Sequence, residues 1–439
     1  MQALSLSVVG LGKLGSPFAA VMAAKGFRII GVDKNPAYVR AINAGKAPVP
    51  EPLLQAFIKR GRARLSATSK IEEAVLGSDI TFIVVPTPSG PDGTFTNRFV
   101  LEAVKDIGKA LRKKKTRHVI VVTSTVMPGS SDGVIKEAIE KASGLKVGKD
   151  VGYCYNPEFI ALGSVIEDML FPDFILIGES DARSGKLLSS VYKRVCGEAV
   201  QIERMAPVNA EITKLSINAY VTTKISYANM LADICERLPG ADVDVVAKAV
   251  GSDTRVGRKY LKGATAYGGP CFPRDNVALI VLAKKLGGRA DIPQASDRLN
   301  HHQTERLMRK LRKNLPKGAL VGIAGMAYKP DTPVIERAAG VDLAHRLLKE
   351  RFAVRITDPL AAKAARKALK GRVGVAEDIQ ALARHVDALV VLTPCPEFKK
   401  LSPRALSKRR APLLVLDGWR LYAGKNLGKK AQMLYIGRG

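Results

Sequence analysis

One stretch of the chain concentrates residues able to do covalent chemistry: Gly268-Gly269-Pro270-Cys271-Phe272-Pro273-Arg274-Asp275. Two glycines and two prolines bracket a cysteine, which fixes the backbone and leaves space beside the sulfur. Arg274 sets a cation next to it, and a nearby cation favours the thiolate, the nucleophilic form. Asp275 lies four residues after Cys271. The same types would also suit a buried, inert cysteine in a structural loop, and by themselves they leave both readings open. Cys154, Cys196, Cys235 and Cys395 are widely spread with no Cys-x-x-Cys pair, which argues against a disulfide framework and a zinc knuckle. His301 and His302 are adjacent, so their side chains diverge; they are expected at a solvated helix start, and no metal is expected.

A second constellation is Gly10-Leu11-Gly12-Lys13-Leu14-Gly15, directly after the apolar run Ser5 to Val9. Gly10 permits a tight turn, Gly12 lets the backbone approach a pyrophosphate, and Gly15 allows close helix packing. With Leu14 it opens a helical stretch whose unpaired N–H groups favour phosphate. Asp33 ends the next apolar run, Arg28 to Val32. A carboxylate there binds ribose hydroxyls and repels a 2′-phosphate, so the expected cofactor is NAD rather than NADP.

These residues need elements to hold them. Apolar runs at Ser5 to Val9, Arg28 to Val32, Thr81 to Val85, Val119 to Val122 and Phe174 to Gly178 alternate with helical patterns from Ser16 to Lys25 onward, which predicts a parallel, doubly wound sheet. Pro207 to Leu238 carries apolar residues at helical spacing with no internal Pro or Gly before Pro239-Gly240, and predicts one helix of some 30 residues. Lys214 and Asn218 sit four apart on it, hence on one face. The strand-helix alternation returns from Ala319, with runs at Leu320 to Ala324, Val354 to Thr357, Ala388 to Thr393 and Leu413 to Leu416. The expected fold is α/β, two Rossmann-like doubly wound domains joined by a long central helix. The expected domains are 1–203 for the cofactor, 204–300 for the helical centre with the cysteine loop, and 301–439 for a second Rossmann-like domain. So long a helix is expected to pack against its twin in a homodimer.

The 439 residues include 70 Lys and Arg against 40 Asp and Glu, a net charge of +30. Such a field favours anionic ligands, among them pyrophosphates, nucleic acid and anionic membranes. No helix-turn-helix, zinc finger or aromatic-basic interleaving accompanies it, and no dedicated nucleic-acid or membrane motif is found. No apolar run reaches the length of a membrane span. Met1 to Gly10 reads as a buried strand and not as a signal peptide, so a cytoplasmic protein is expected.

Taken in order, the motifs resemble those of the UDP-glucose/GDP-mannose dehydrogenase family over nearly the whole chain. The Cys271 loop is similar to that family's catalytic cysteine loop. Val85-Pro86-Thr87-Pro88 resembles its loop near the nicotinamide, and Ser124-Thr125-Val126 the next loop. Asn156-Pro157-Glu158-Phe159 resembles its acidic loop, and Ala210-Glu211 through Lys214-Leu215 to Asn218 the start of its central helix. Asp253-x-Arg255-x-Gly257 and Tyr260-Leu261-Lys262 look like its sugar-nucleotide segment, and Tyr328-Lys329-Pro330-Asp331-Thr332 like its third-domain hallmark.

The resemblance implies an enzyme that oxidises a primary alcohol of a nucleotide sugar, UDP-glucose foremost, to the acid with two NAD. Cys271 would carry a thiohemiacetal and then a thioester. Lys214 and Asn218 would stabilise an oxyanion. Asp275 and Glu158 would move protons or order the hydrolytic water, and Thr125 would help hold that water. Thr87, Pro88, Thr125 and Arg274 join the glycine turn and Asp33 in binding NAD. Glu158, Lys214, Asn218, Arg255, Tyr260, Lys262, Gly268 and Lys329 are the implied substrate contacts. Without the resemblance, Lys214 and Asn218 would read as an exposed helix face and Glu158 as a loop cap. The chain departs from the family's pattern at Leu162, Phe174, Glu336-Arg337-Ala338 and Asp417-Gly418-Trp419-Arg420, which bears on the identity of the sugar. UDP-N-acetylhexosamine or GDP-mannose are alternative substrates. A one-step hydroxyacid-type dehydrogenase and a non-enzymatic, polyanion-binding protein that keeps the nucleotide fold are alternatives of other classes.

Overall fold

The computed structural model describes residues 4–439, and residues 1–3 of the opening segment lie outside them. The chain divides into two compact units, the first running to Ser216 and the second Ile217–Gly439. In the first unit the strands are β1 (Ser5–Val9), β2 (Arg28–Val32), β3 (Leu65–Thr68), β4 (Ile80–Ile83), β5 (Val119–Val122), β6 (Gly152–Tyr155), β7 (Ile175–Glu179) and β8 (Ile202–Met205). They form one sheet in the order β3-β2-β1-β4-β5-β6-β7-β8. Successive strand side chains point to opposite faces, and both faces are covered. Val121 packs with Leu6, Val8, Phe18 and Phe82 on one side, while Ile120 and Val122 pack with Val9, Ile83, Val104 and Ile107 on the other. This two-sided burial is why the strands read as continuous apolar runs.

The second unit repeats the plan. Its strands are β9 (Leu320–Ala324), β10 (Ala353–Thr357), β11 (Gly374–Val375), β12 (Ala388–Val391), β13 (Leu413–Asp417) and β14 (Ala431–Tyr435), in the order β11-β10-β9-β12-β13-β14 and all parallel. The helices Val243–Val250, Phe272–Lys285 and Asp291–Asn314 precede it. The long helix is present as Pro207–Cys235, 29 residues, and the division between the units falls within it.

The two sheets share a local device. In the first, a Cβ on Gly15 would stand 1.8 Å from the Gly10 carbonyl oxygen; in the second, a Cβ on Gly340 would stand 2.2 Å from that of Gly325. Each pair lets a helix start against the turn that follows the sheet's first strand. Asp33 after β2 accepts from the Leu11 N–H at 2.7 Å, and Asp358 after β10 accepts from the Met326 and Ala327 N–H groups at 2.7 and 3.0 Å.

Several expectations need correction, among them the run Ala388 to Thr393, which is strand only as Ala388–Val391, and the long helix, which ends at Cys235 and not Leu238. The first sheet is not wholly parallel, because β7 runs antiparallel to β6 through Cys154↔Glu179 and Tyr155↔Gly178. His301 and His302 lie inside the helix Asp291–Asn314 rather than at a start, and both are exposed. Thr81 to Val85 is strand only as Ile80–Ile83, since Val84 and Val85 already belong to the loop that carries Thr87. Among the described residues no helix is long and apolar enough to cross a membrane.

Candidate active site

In the first unit the glycine turn lies between β1 and the helix Gly15–Ala24. Gly10 has φ +100°, a left-handed value that favours glycine. No atom lies within 4 Å of where a Gly12 Cβ would be, so the backbone there faces open space. Leu14 caps the helix, and Asp33 is fixed at the rim by its bonds to the Leu11 and Asn35 N–H groups, both 2.7 Å. The turn, helix start and carboxylate therefore stand as a dinucleotide's pyrophosphate and ribose require.

The loops after β4 and β5 meet one another: the Thr87 hydroxyl donates to the Thr125 carbonyl at 2.6 Å, and Pro88 beside it is exposed. A residue without an assigned role anchors the second loop. Glu211, fully buried on the long helix, accepts from the Gly129 N–H at 2.6 Å and from the Ser131 N–H and hydroxyl at 2.8 and 2.6 Å. Burial raises its pKa against those three donors. The Ala210-Glu211 pair was legible as a motif, but nothing in its spacing revealed this partner.

Glu158 follows β6. Lys214 of the long helix is buried, donates to the Glu158 carbonyl at 2.5 Å, and sits 4.4 Å from the centre of the Phe159 ring, which packs on Phe174. Removal from water pushes the part-buried Glu158 carboxyl from 4.5 up to about 7, against the pull of the Tyr192 hydroxyl when it donates there and of the Lys214 ammonium. A carboxyl titrating near neutral pH can both give and take a proton.

In the second unit Cys271 is exposed and caps the 14-residue helix Phe272–Lys285, with Pro273 in its first turn. The unpaired N–H groups of a helix start favour a negative sulfur. Asp275, one turn in, is buried, and its carboxylate accepts from the Asn218 side-chain amide at 2.6 Å. Arg274 Nε lies 3.9 Å from the other Asp275 oxygen. The glycines before the cysteine are explained by crowding. A Cβ on Gly268 would stand 2.2 Å from the Arg337 carbonyl, and one on Gly269, at φ +88°, would stand 2.6 Å from the Tyr328 ring. Gly269 N–H also donates to the Glu336 carbonyl at 2.9 Å. Behind the loop, Tyr267 donates to Asp297 at 2.6 Å and accepts from Asn276 at 3.0 Å. None of these supports was apparent from spacing.

The remaining expected substrate residues are spread over the second unit. Tyr260 is half exposed at φ +63° and meets Phe272 edge-on. The Lys262 ammonium lies 5.9 Å from the Trp419 ring centre. Arg255 is turned to solvent and held by Asp253 at 3.0 and 2.7 Å. Lys329 lines a cleft of about 140 Å³ with Asp331, Thr332, Asp358 and Glu397. Among the described residues no three His, Cys, Asp or Glu side chains converge as metal ligands would.

Family models of the UDP-glucose/GDP-mannose dehydrogenases match three stretches: the NAD binding domain at residues 4–196, the central domain at 208–302 and the UDP binding domain at 322–424. The UDP-glucose 6-dehydrogenase of Haloferax volcanii is 32% identical over 422 residues, 95% of this chain and 97% of that protein. A GDP-mannose 6-dehydrogenase of Pseudomonas aeruginosa is 33% identical over 359 residues, 81% of each. Among solved structures, a UDP-glucose dehydrogenase from the hyperthermophilic archaeon Pyrobaculum islandicum matches with TM-score 0.89 at 35% identity, over 100% of this chain and 98% of that one.

Proposed function

The chain belongs to the UDP-glucose/GDP-mannose dehydrogenase family as an NAD-dependent nucleotide-sugar dehydrogenase, and from that membership we propose that it oxidises UDP-glucose to the uronic acid through a covalent intermediate on Cys271. The observation that carries the covalent route is the seat of Cys271 at a helix start, one turn from the buried Asp275–Asn218 pair. UDP-glucose is supported by the names of the Haloferax and Pyrobaculum relatives.

NAD, held by the Gly10–Gly15 turn and Asp33, would supply the hydride acceptor for the sugar's C6 in each of two oxidations. The residues do the rest. A proton-accepting group takes the hydroxyl proton as the alcohol becomes an aldehyde. The Cys271 thiol then adds across the aldehyde, its sulfur bonding to C6 and its proton passing to the oxygen, which gives a thiohemiacetal. Loss of a second hydride and a proton leaves a thioester, and water cleaves the C–S bond to release carboxylate and thiol. The sum is RCH₂OH + 2 NAD⁺ + H₂O → RCOO⁻ + 2 NADH + 3 H⁺. Lys214 and Asn218 offer N–H donors to the oxyanions. Glu158 and Asp275 exchange protons with the alcohol and the hydrolytic water, which Thr125 helps to hold. Gly10, Gly12, Leu14, Gly15, Asp33, Thr87, Pro88 and Arg274 would bind the cofactor. Arg255, Tyr260, Lys262, Gly268 and Lys329 would bind the nucleotide sugar, cations serving the diphosphate. The work divides among segments 1–203, 204–300 and 301–439.

We also propose a homodimer through the long helix. Its exposed Ile212, Tyr220, Tyr227, Met230 and Ile234 fall within about 80° of one another at 100° per residue, an apolar stripe of the sort that packs against a second copy. The test of the reaction is a panel of UDP-glucose, UDP-N-acetylhexosamines and GDP-mannose with NAD, counting NADH per sugar consumed. Two per UDP-glucose, falling to one or none in Cys271→Ser, supports the reading. Preference for another sugar overturns the substrate, and an unchanged count in Cys271→Ser overturns the covalent route.

A further inference from the structure

Next to Glu158 lies a buried phenol that the proposed chemistry does not use. Tyr192, on the helix Ala182–Cys196, is 2% exposed. Its hydroxyl contacts Asn156 Oδ1 and lies 3.1 Å from Glu158 Oε1. Asn156 is equally buried, and its amide is fixed: Nδ2 donates to the Leu176 carbonyl at 2.8 Å, which turns Oδ1, an acceptor only, toward the phenol.

A phenol has one proton, so it cannot donate to both neighbours. Among the described residues Tyr192 is the one donor to Asn156 Oδ1, and a buried acceptor left without a donor is destabilising. With the proton held by Asn156, Tyr192 offers Glu158 a lone pair, and a lone pair is satisfied only by a carboxyl that carries its own proton. We propose that Tyr192 and Asn156 are positioning residues that bias Glu158 toward its neutral acid form. This rests on the reading of Glu158 as a proton-handling group. The other charged or titratable groups facing Glu158 are Lys214, whose ammonium bonds to its backbone carbonyl and favours the carboxylate, and Cys196 on the Tyr192 helix. Loss of water around the carboxyl acts in the same direction as the lone pair. A pre-loaded acid at this place can protonate a leaving or developing oxygen without drawing on solvent.

The test follows the Glu158 carboxyl in the full-length enzyme by ¹³C-glutamate NMR against pH, the signal being identified by its loss in Glu158→Gln. Tyr192→Phe deletes one oxygen and with it the acceptor for the acid proton, so the Glu158 midpoint falls, on the order of one pH unit. Asn156→Ala frees the phenol proton to turn toward the carboxylate, and the midpoint again falls. The double variant matches Tyr192→Phe alone, because Asn156 acts through the phenol. A rise in Tyr192→Phe would show the phenol donating to Glu158 and overturns the proposal, as does an Asn156→Ala shift that persists without the phenol. Should Asn156→Ala fail to fold, the sign in Tyr192→Phe still decides. Turnover of Glu158→Gln is read separately: full activity there removes Glu158 from the reaction and leaves the titration result standing.

Discussion

Replacing Glu158 by Gln is expected to stabilise the protein and to slow it, with a pH signature that identifies the cause. The carboxyl titrates near 7 in the folded chain because burial disfavours its charge, against 4.5 in the open. Below pH 4.5 native and unfolded chains both hold the proton, and the substitution changes little. Between 4.5 and about 7 the unfolded chain gives up a proton the native chain keeps, so the wild type loses stability as pH rises while the amide does not. Above 7 the gap is constant. The two midpoints differ by about 2.5 pH units, at roughly 1.4 kcal/mol each, which sets an upper bound of about 3.5 kcal/mol. Glu158 is only part-buried, and contact with water brings this to about 1–3 kcal/mol. That is a melting-temperature gain of a few degrees, at roughly 2–4 °C per kcal/mol for a unit of this size. Thermal unfolding of both proteins from pH 4 to pH 8 measures it. A gap that ignores pH, or one that opens with the wild type more stable at pH 8, would mean that Lys214 rather than desolvation governs the carboxyl, and the reasoning would fail.

Gly269→Ala forces a side chain into the Tyr328 ring at a left-handed backbone angle. It should cut kcat about 100-fold by moving the cysteine loop on the order of 1 Å, while far-UV circular dichroism is retained. Gly15→Val drives a side chain into the Gly10 carbonyl and should weaken NAD binding at least about tenfold in fluorescence titrations, with nucleotide-sugar binding unchanged. Tyr220→Glu with Tyr227→Glu places two charges in the apolar stripe; if the proposed dimer forms there, light scattering should report a dimer for the wild type and a monomer for this variant.

The sequence made the sheet centres plain and the rims obscure, for a physical reason. Ser5 to Val9, Arg28 to Val32, Val119 to Val122 and Leu320 to Ala324 match the observed strands residue for residue, because strands buried on both faces are largely apolar. Leu65–Thr68 and Gly152–Tyr155 were missed; the first lies at a sheet edge, where Ser and Thr suffice, and the second carries Gly and Cys where packing leaves little room. Gly152 is one such place, since a Cβ there would stand 2.1 Å from the Ser184 hydroxyl. Of the candidate residues, Cys271, Asp275, Asn218, Glu158 and Lys214 were legible as types in ordered motifs. Their supports were not: Glu211 bonds to residues some 80 positions away, and Tyr192 reaches Asn156 across 36, separations that no local pattern encodes.

The repeated glycine device has a practical corollary. Between Gly10 and Gly15 the turn holds four residues; between Gly325 and Gly340 it holds fourteen, on the same strand-to-helix frame. The added length is not idle, for it includes Tyr328, Glu336 and Arg337, the wall and struts against which Gly268 and Gly269 rest. The first turn thus leaves open space beside Gly12, while the second packs part of its length against the loop that carries Cys271. Trimming the second turn to match the first would remove Tyr328, Glu336 and Arg337 and with them the supports of the Cys271 loop.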